Sequence, residues 1–157
     1  MSAARMSQVI AAKAFTILPG DADKRTIITL LTEALVTAGM LTSDLVSNIV
    51  EEAMRREIIG STGIGHGIAI PHCRTALVND LMCSYGQCPA GIDFDSLDGE
   101  SVHSVFLLLT PPDRKDDHLA LMKSFASQIR KEHFCEFLHQ IPDVKALIEL
   151  LTEFEAR

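Results

Sequence analysis

Apolar residues recur over positions 24–40 at Ile27, Leu31, Ala34, Leu35 and Ala38, the spacing of one helix face. A second helical stripe follows at Leu45, Val46, Ile49, Val50, Ala53 and Met54, with Ser43 placed to cap its start and Gly60 to stop its end. Ahead of these, positions 6–13 predict a short helix and 14–18 a strand. Pro19-Gly20-Asp21 supplies a turn before the first long helix. Beyond Gly60 the pattern becomes extended. Positions 68–71 and 81–87 read as strands, and 91–94 as a short extended piece. Positions 102–109 form the near-continuous apolar run of a buried central strand, ended by Pro111-Pro112-Asp113. A helix over 116–131 puts His118, Met122, Phe125, Ala126 and Ile129 on one face, and shorter helices fit 132–140 and 143–155. Helices and strands interleave. The expected fold is therefore α/β: a single domain over 1–157, with a mixed β-sheet flanked by helices on both faces.

Composition narrows the functional classes. With 157 residues, 47% hydrophobic and 22% charged, the chain can bury one sizeable core and is not a disordered type. No apolar run approaches the roughly 20 residues of a membrane span, so no direct membrane insertion is expected. The first residues lack an apolar signal-peptide core, and Cys73, Cys83, Cys88 and Cys135 contain no Cys-x-x-Cys pair. A reducing, cytoplasmic setting is expected. The net charge of −7 argues against nucleic acid as a partner and favours a partner with a basic or apolar docking face.

The densest candidate chemistry lies between Arg56 and His72: Arg56-Glu57-Ile58-Ile59-Gly60-Ser61-Thr62-Gly63-Ile64-Gly65-His66-Gly67-Ile68-Ala69-Ile70-Pro71-His72. Four glycines there let backbone amides approach an anion. The loop lacks the Gly-Lys-Ser/Thr of a phosphate-binding nucleotide loop and the third glycine of a dinucleotide fingerprint. What remains is a generic anion cradle of amides with the Ser61 and Thr62 hydroxyls. Pro71 is expected to end the preceding strand, leaving His72 just past it and facing the loop. A neutral imidazole can accept a phosphoryl group directly, without metal or external base. Glycine amides (those of Gly63 and Gly65 among them), Thr62 and Arg56 would then stabilise the phosphoryl oxygens, and His118, at a helix start, could hydrogen-bond one of them. Metal binding is not expected, because the His and Cys residues form no paired ligand cluster, and no cofactor is expected.

The run GSTGIGHGIAIPH after Arg56-Glu57 resembles the active-site signature of enzyme IIA domains of the bacterial phosphotransferase system, in the fructose/mannitol group. The likeness is greatest to the nitrogen-regulatory branch. It implies that His72 is the phosphoacceptor, that His118 in Asp117-His118-Leu119-Ala120-Leu121-Met122 is a second active-site histidine, and that Arg56 is an active-site residue. It implies a histidine-containing phosphocarrier protein as donor, and either an enzyme IIB or a regulatory target protein as recipient. Two departures stand out. His66 replaces the usual asparagine, adding an imidazole near the site, and Cys73-Arg74 replaces a glycine and often lysine. The alternatives to a regulatory carrier are a sugar-transport subunit and a non-catalytic docking or anion-binding module. For a protein partner the site should be open, with an apolar rim and acidic residues such as Asp116 and Asp117 outside it.

Overall fold

The computed structural model describes residues 5–156, the side chain of Ala12 excepted. In chain order the elements are α1 (Met6–Val9), β1 (Ile10–Ile17), α2 (Lys24–Thr37), α3 (Val46–Ile59), β2 (Gly63–Gly65), β3 (Ile68–Ala69), β4 (His72–Arg74), β5 (Met82–Ile92), β6 (Val102–Thr110), α4 (Lys115–Gln128), α5 (Phe134–Leu138) and α6 (Val144–Ala156). Single 3₁₀ turns precede α3 (Ser43–Leu45) and α4 (Pro112–Arg114).

One six-stranded sheet has the order β1-β5-β6-β3-β2, with β4 also paired to β6. The β5–β6 pair is antiparallel, while β1–β5, β3–β6 and β4–β6 are parallel, so the sheet is mixed as expected. β6 lies in its middle, and all its residues except His103 are buried. Its side chains feed two cores, as the alternation of a strand buried on both faces requires. Val105, Leu107 and Leu109 join the cluster built from α2 and α3. Phe106 and Leu108 join the one built from α4, α5 and α6, where Tyr85, Phe106, Phe125, Phe134 and Phe154 form a chain of edge-on ring contacts.

Three boundaries differ from the sequence reading. The first helix is one turn long, and strand β1 begins at Ile10 instead of position 14. Lys13 adopts a left-handed φ of 75°, which no helix accommodates, and parallel pairing of Ile10 with Cys83 outweighs the local helix preference of the alanines. The strand over 81–87 and the piece over 91–94 merge into β5, with a register shift between Gln87 and Ile92 at the exposed Pro89-Ala90.

The third difference bears on function. β3 ends at Ala69, ahead of Pro71, but pairing resumes at His72 in β4 instead of leaving His72 beyond the sheet. Ile68 pairs with Ser104, Ala69 with Val105, His72 with Leu108 and Cys73 with Leu109, so the chain keeps one register along β6 through the proline. Pro71 forfeits a single donor while its carbonyl still accepts Leu108 N–H at 3.0 Å. His72 is thus fixed as the first residue of β4, in the same register along β6 as β3.

Packing over β5 depends on a missing side chain. A Cβ on Gly86 would come within 2.6 Å of Leu18 Cδ1 and 3.0 Å of Leu31 Cδ2, both buried. Gly86→Ala is expected to destabilise the fold by about 1–3 kcal/mol through overpacking, lowering the midpoint of a urea titration. An unchanged midpoint would show that the two leucines rearrange freely.

Candidate functional site

His72 projects to the same side of the sheet as Ile70, because side chains two apart on a strand share a face. That side is covered by α4, whose first turn carries His118. The two imidazole rings lie 5.2 Å apart between centroids, tilted by 52°. The structure therefore brings together two histidines that are far apart in sequence. They line a cavity of about 490 Å³ with Glu52, Arg55, Arg56, Ile59, Cys73, Arg74, Lys115 and Leu119.

The protonation pattern of His72 follows from one contact. Its Nδ1 lies 2.7 Å from the carbonyl oxygen of Ile70. A carbonyl can only accept, so Nδ1 carries the proton and Nε2 keeps its lone pair. Burial, with the Arg56 charge, holds the His72 pKa below the usual histidine value, against the opposing pull of the Ile70 carbonyl and Glu57. His118 is buried at 8% exposure, and its pKa is pushed down to about 4, chiefly by burial and then by His72 and Arg74. Both rings are therefore neutral at pH 7. Nδ1 of His118 shares a hydrogen bond of 2.8 Å with the buried hydroxyl of Thr110, the last residue of β6.

Arg56 sits in the last turn of α3. Its Nη1 donates to the Gly60 carbonyl at 2.9 Å, countering the negative end of that helix while the residue lines the cavity. Arg55, Arg74 and Lys115 add three cations, with Glu52 as the acidic residue of the lining. The Glu52 carboxylate is engaged by the Thr75 hydroxyl. The acidic residues expected outside the rim, Asp116 and Asp117, are in the first turn of α4 and are not part of this lining. A chain of net charge −7 presents a basic depression here, and Asp117 is paired to Arg114 at 2.5 Å. Apolar Ile59 and Leu119 line the cavity and are exposed by 83% and 55%.

The glycine loop is placed differently from the sequence expectation. Ser61, Thr62, Gly63 and Gly65 do not line the cavity. Ser61 Oγ donates to the Phe94 carbonyl at 2.7 Å and accepts from Gly63 N–H at 3.1 Å. Thr62 gives both its hydroxyl and its N–H to Glu57, at 2.5 and 2.9 Å. Gly65 and Gly67 have φ of 94° and 77°, values that exclude most side chains, and a Cβ on Gly67 would reach the His139 ring at 2.7 Å. The loop is a tightly bonded turn. His66 lies outside the cavity lining; its N–H meets Asp98 and its carbonyl accepts from His139 Nε2.

Arg74, Lys115 and Thr110 escaped the sequence reading. Arg74 was available from strand alternation, two residues beyond His72, and Lys115 from helical spacing, three residues before His118. Thr110 carried no local signal. Among the described residues no group of three His, Cys, Asp or Glu side chains could hold a metal ion, and no helix is long and apolar enough to cross a membrane.

Comparison with known proteins places the chain in a family and a fold. The family model described as "Phosphoenolpyruvate-dependent sugar phosphotransferase system, EIIA 2" matches residues 9–154. The chain belongs to this family. A nitrogen regulatory protein of Pseudomonas aeruginosa is 30% identical over 152 residues, spanning 96% of this EIIA chain and 97% of its own length. The crystal structure of the nitrogen regulatory protein IIA-Ntr from Neisseria meningitidis shares the EIIA fold with a TM-score of 0.82 at 23% identity, over 93% of this chain and 98% of that one. The Escherichia coli complex of enzyme IIAMTL with phosphorylated enzyme IIBMTL matches with a TM-score of 0.71 at 22% identity, over 90% of this chain and 96% of that one.

Proposed function

We propose that this EIIA-family protein is a phosphoryl carrier in which Nε2 of His72 accepts phosphate from a histidine-containing phosphocarrier protein. The observation that carries the reading is the Nδ1–H bond of His72 to Ile70, beside a cavity lined by four cationic side chains. That bond leaves a nucleophilic lone pair on the one nitrogen that phosphorus can reach.

In the forward step Nε2 attacks phosphorus in line. The new N–P bond forms as the donor's N–P bond breaks, and the bonding pair returns to the donor imidazole. No proton has to leave His72, because its ring proton stays on Nδ1 against Ile70. The chain's task is then to position the ring and neutralise three oxygens. Arg56, Arg74 and Lys115 supply charge, and the first turn of α4 supplies the positive end of a helix. With the Thr110 hydroxyl donating to Nδ1 of His118, the neutral His118 ring presents Nε2–H to a phosphoryl oxygen. Ser61, Thr62, Gly63 and Gly65 would contribute by shaping the loop behind the ring.

Phosphorylation would add about −1.5 to −2 charge to a basic depression with an apolar rim, enough to change which protein docks there. The full-length likeness to a nitrogen regulatory protein supports a regulatory role for that switch. The fold-level likeness to the IIAMTL–IIBMTL complex supports a second reading, delivery to a separate enzyme IIB. The test is incubation with enzyme I, the phosphocarrier and phosphoenolpyruvate, followed by intact mass. Gain of one acid-labile phosphoryl group is expected. No gain would leave a docking module without phosphotransfer.

A further inference from the structure

We propose that Glu57 is a positioning residue for His72, acting through Thr62 and the backbone of Ile70 to hold the ring in its Nδ1–H tautomer. This rests on the carrier reading of His72.

Glu57 is 4% exposed, an unusual place for a carboxylate unless it is fully engaged. Its Oε1 accepts the Thr62 hydroxyl at 2.5 Å, and its Oε2 accepts Thr62 N–H at 2.9 Å and Lys24 Nζ at 3.0 Å. Lys24 is held in turn over the Phe94 ring, 4.9 Å from its centroid. Thr62 is thus gripped at its amide and its side chain, and its carbonyl direction is fixed. That carbonyl accepts Ile70 N–H at 3.0 Å. The Ile70 carbonyl then receives His72 Nδ1–H at 2.7 Å. Three successive links run from a buried ion pair to the ring nitrogen that must keep its proton.

A carboxylate anchoring the ring directly would place a negative charge against the incoming phosphoryl group. Relaying the constraint through the Ile70 backbone orients His72 with a neutral acceptor. Burying Glu57 against Lys24 also keeps its charge compensated. The arrangement accounts for the Glu57 and Thr62 positions without placing either on the phosphoryl oxygens.

The test compares Glu57→Gln, Thr62→Val and Thr62→Ser with the wild type. The first reading is the His72 ring tautomer, from two-bond ¹H–¹⁵N correlations at pH 8. The second is the rate of phosphorylation by the phosphocarrier. The wild type should show one tautomer, protonated at Nδ1. Glu57→Gln and Thr62→Val should show a mixture and a rate reduced roughly 10- to 100-fold, the scale of a small misplacement of a reacting group. Thr62→Ser, which keeps the hydroxyl, should restore both. If Glu57→Gln does not fold, Thr62→Val against Thr62→Ser decides. A single Nδ1–H tautomer and a wild-type rate in Thr62→Val would overturn the proposal while leaving the carrier reading intact. A wild type that accepts no phosphate would sink the carrier reading, and the tautomer comparison would still decide the positioning role.

Discussion

His72→Ala is expected to accept no phosphate from the phosphocarrier, while circular dichroism and the urea midpoint stay close to wild type. The loss should be complete because the other histidines are wrongly disposed. His118 shares its Nδ1 with Thr110 and is buried, and His139 is bonded through both ring nitrogens, to Ser104 and to the His66 carbonyl. The fold should survive because His72 is only half-buried and its ladder bonds to β6 are made by backbone. An alanine in a strand end removes one side-chain hydrogen bond, to Ile70, of modest worth. Labelling that persists in this variant would move the acceptor elsewhere.

His118→Ala should slow transfer without abolishing it and should also alter the dependence of stability on pH. One hydrogen bond to a charged phosphoryl oxygen is worth about 1.5–3 kcal/mol, or roughly 10- to 150-fold in rate. The pH effect follows from burial. The His118 pKa falls from 6.5 in the unfolded chain to about 4 in the folded one. Between those values the unfolded state binds the proton and the native state does not, so stability is full above pH 6.5 and declines as pH falls toward 4. Below that the native state also protonates and the decline ends. The difference amounts to at most about 3 kcal/mol. His72 acts in the same direction, its pKa also being lowered. Urea unfolding from pH 7 to 4 should therefore show a shallower loss in His118→Ala than in the wild type. Parallel curves for the two proteins would mean that His118 is not held neutral by the fold. Phosphate uptake should likewise persist at pH 6.5 and fail under more acidic conditions, as His72 Nε2 becomes protonated.

Much of this was legible in the sequence because the informative patterns are local. The long helices, the buried β6 and both histidines came from spacing and composition, and so did the α/β class. The sheet order was not, because pairing β1 with β5 and β3 with β6 is decided by contacts between distant segments. Pro71 marks a real break between β3 and β4, but not the return to strand at His72: a proline forfeits only one ladder donor, and the flanking residues keep register with a central strand. The serine and threonine of the glycine loop carry two readings at once. Hydroxyls beside glycines suit an anion, yet they equally suit the turn itself, and Phe94 and Glu57 engage both of them. The basic character of the cavity was hidden by a net charge of −7, since net charge says nothing of where four cations converge.

The most direct test of the central claim is where the phosphoryl group sits. The protein, labelled with ¹⁵N in its histidines and phosphorylated through enzyme I and the phosphocarrier, should show one phosphohistidine. Its ¹⁵N–³¹P coupling should fall on Nε2 of His72, with Nδ1 still protonated against Ile70. Phosphorus on Nδ1, or on any other histidine, would contradict the account.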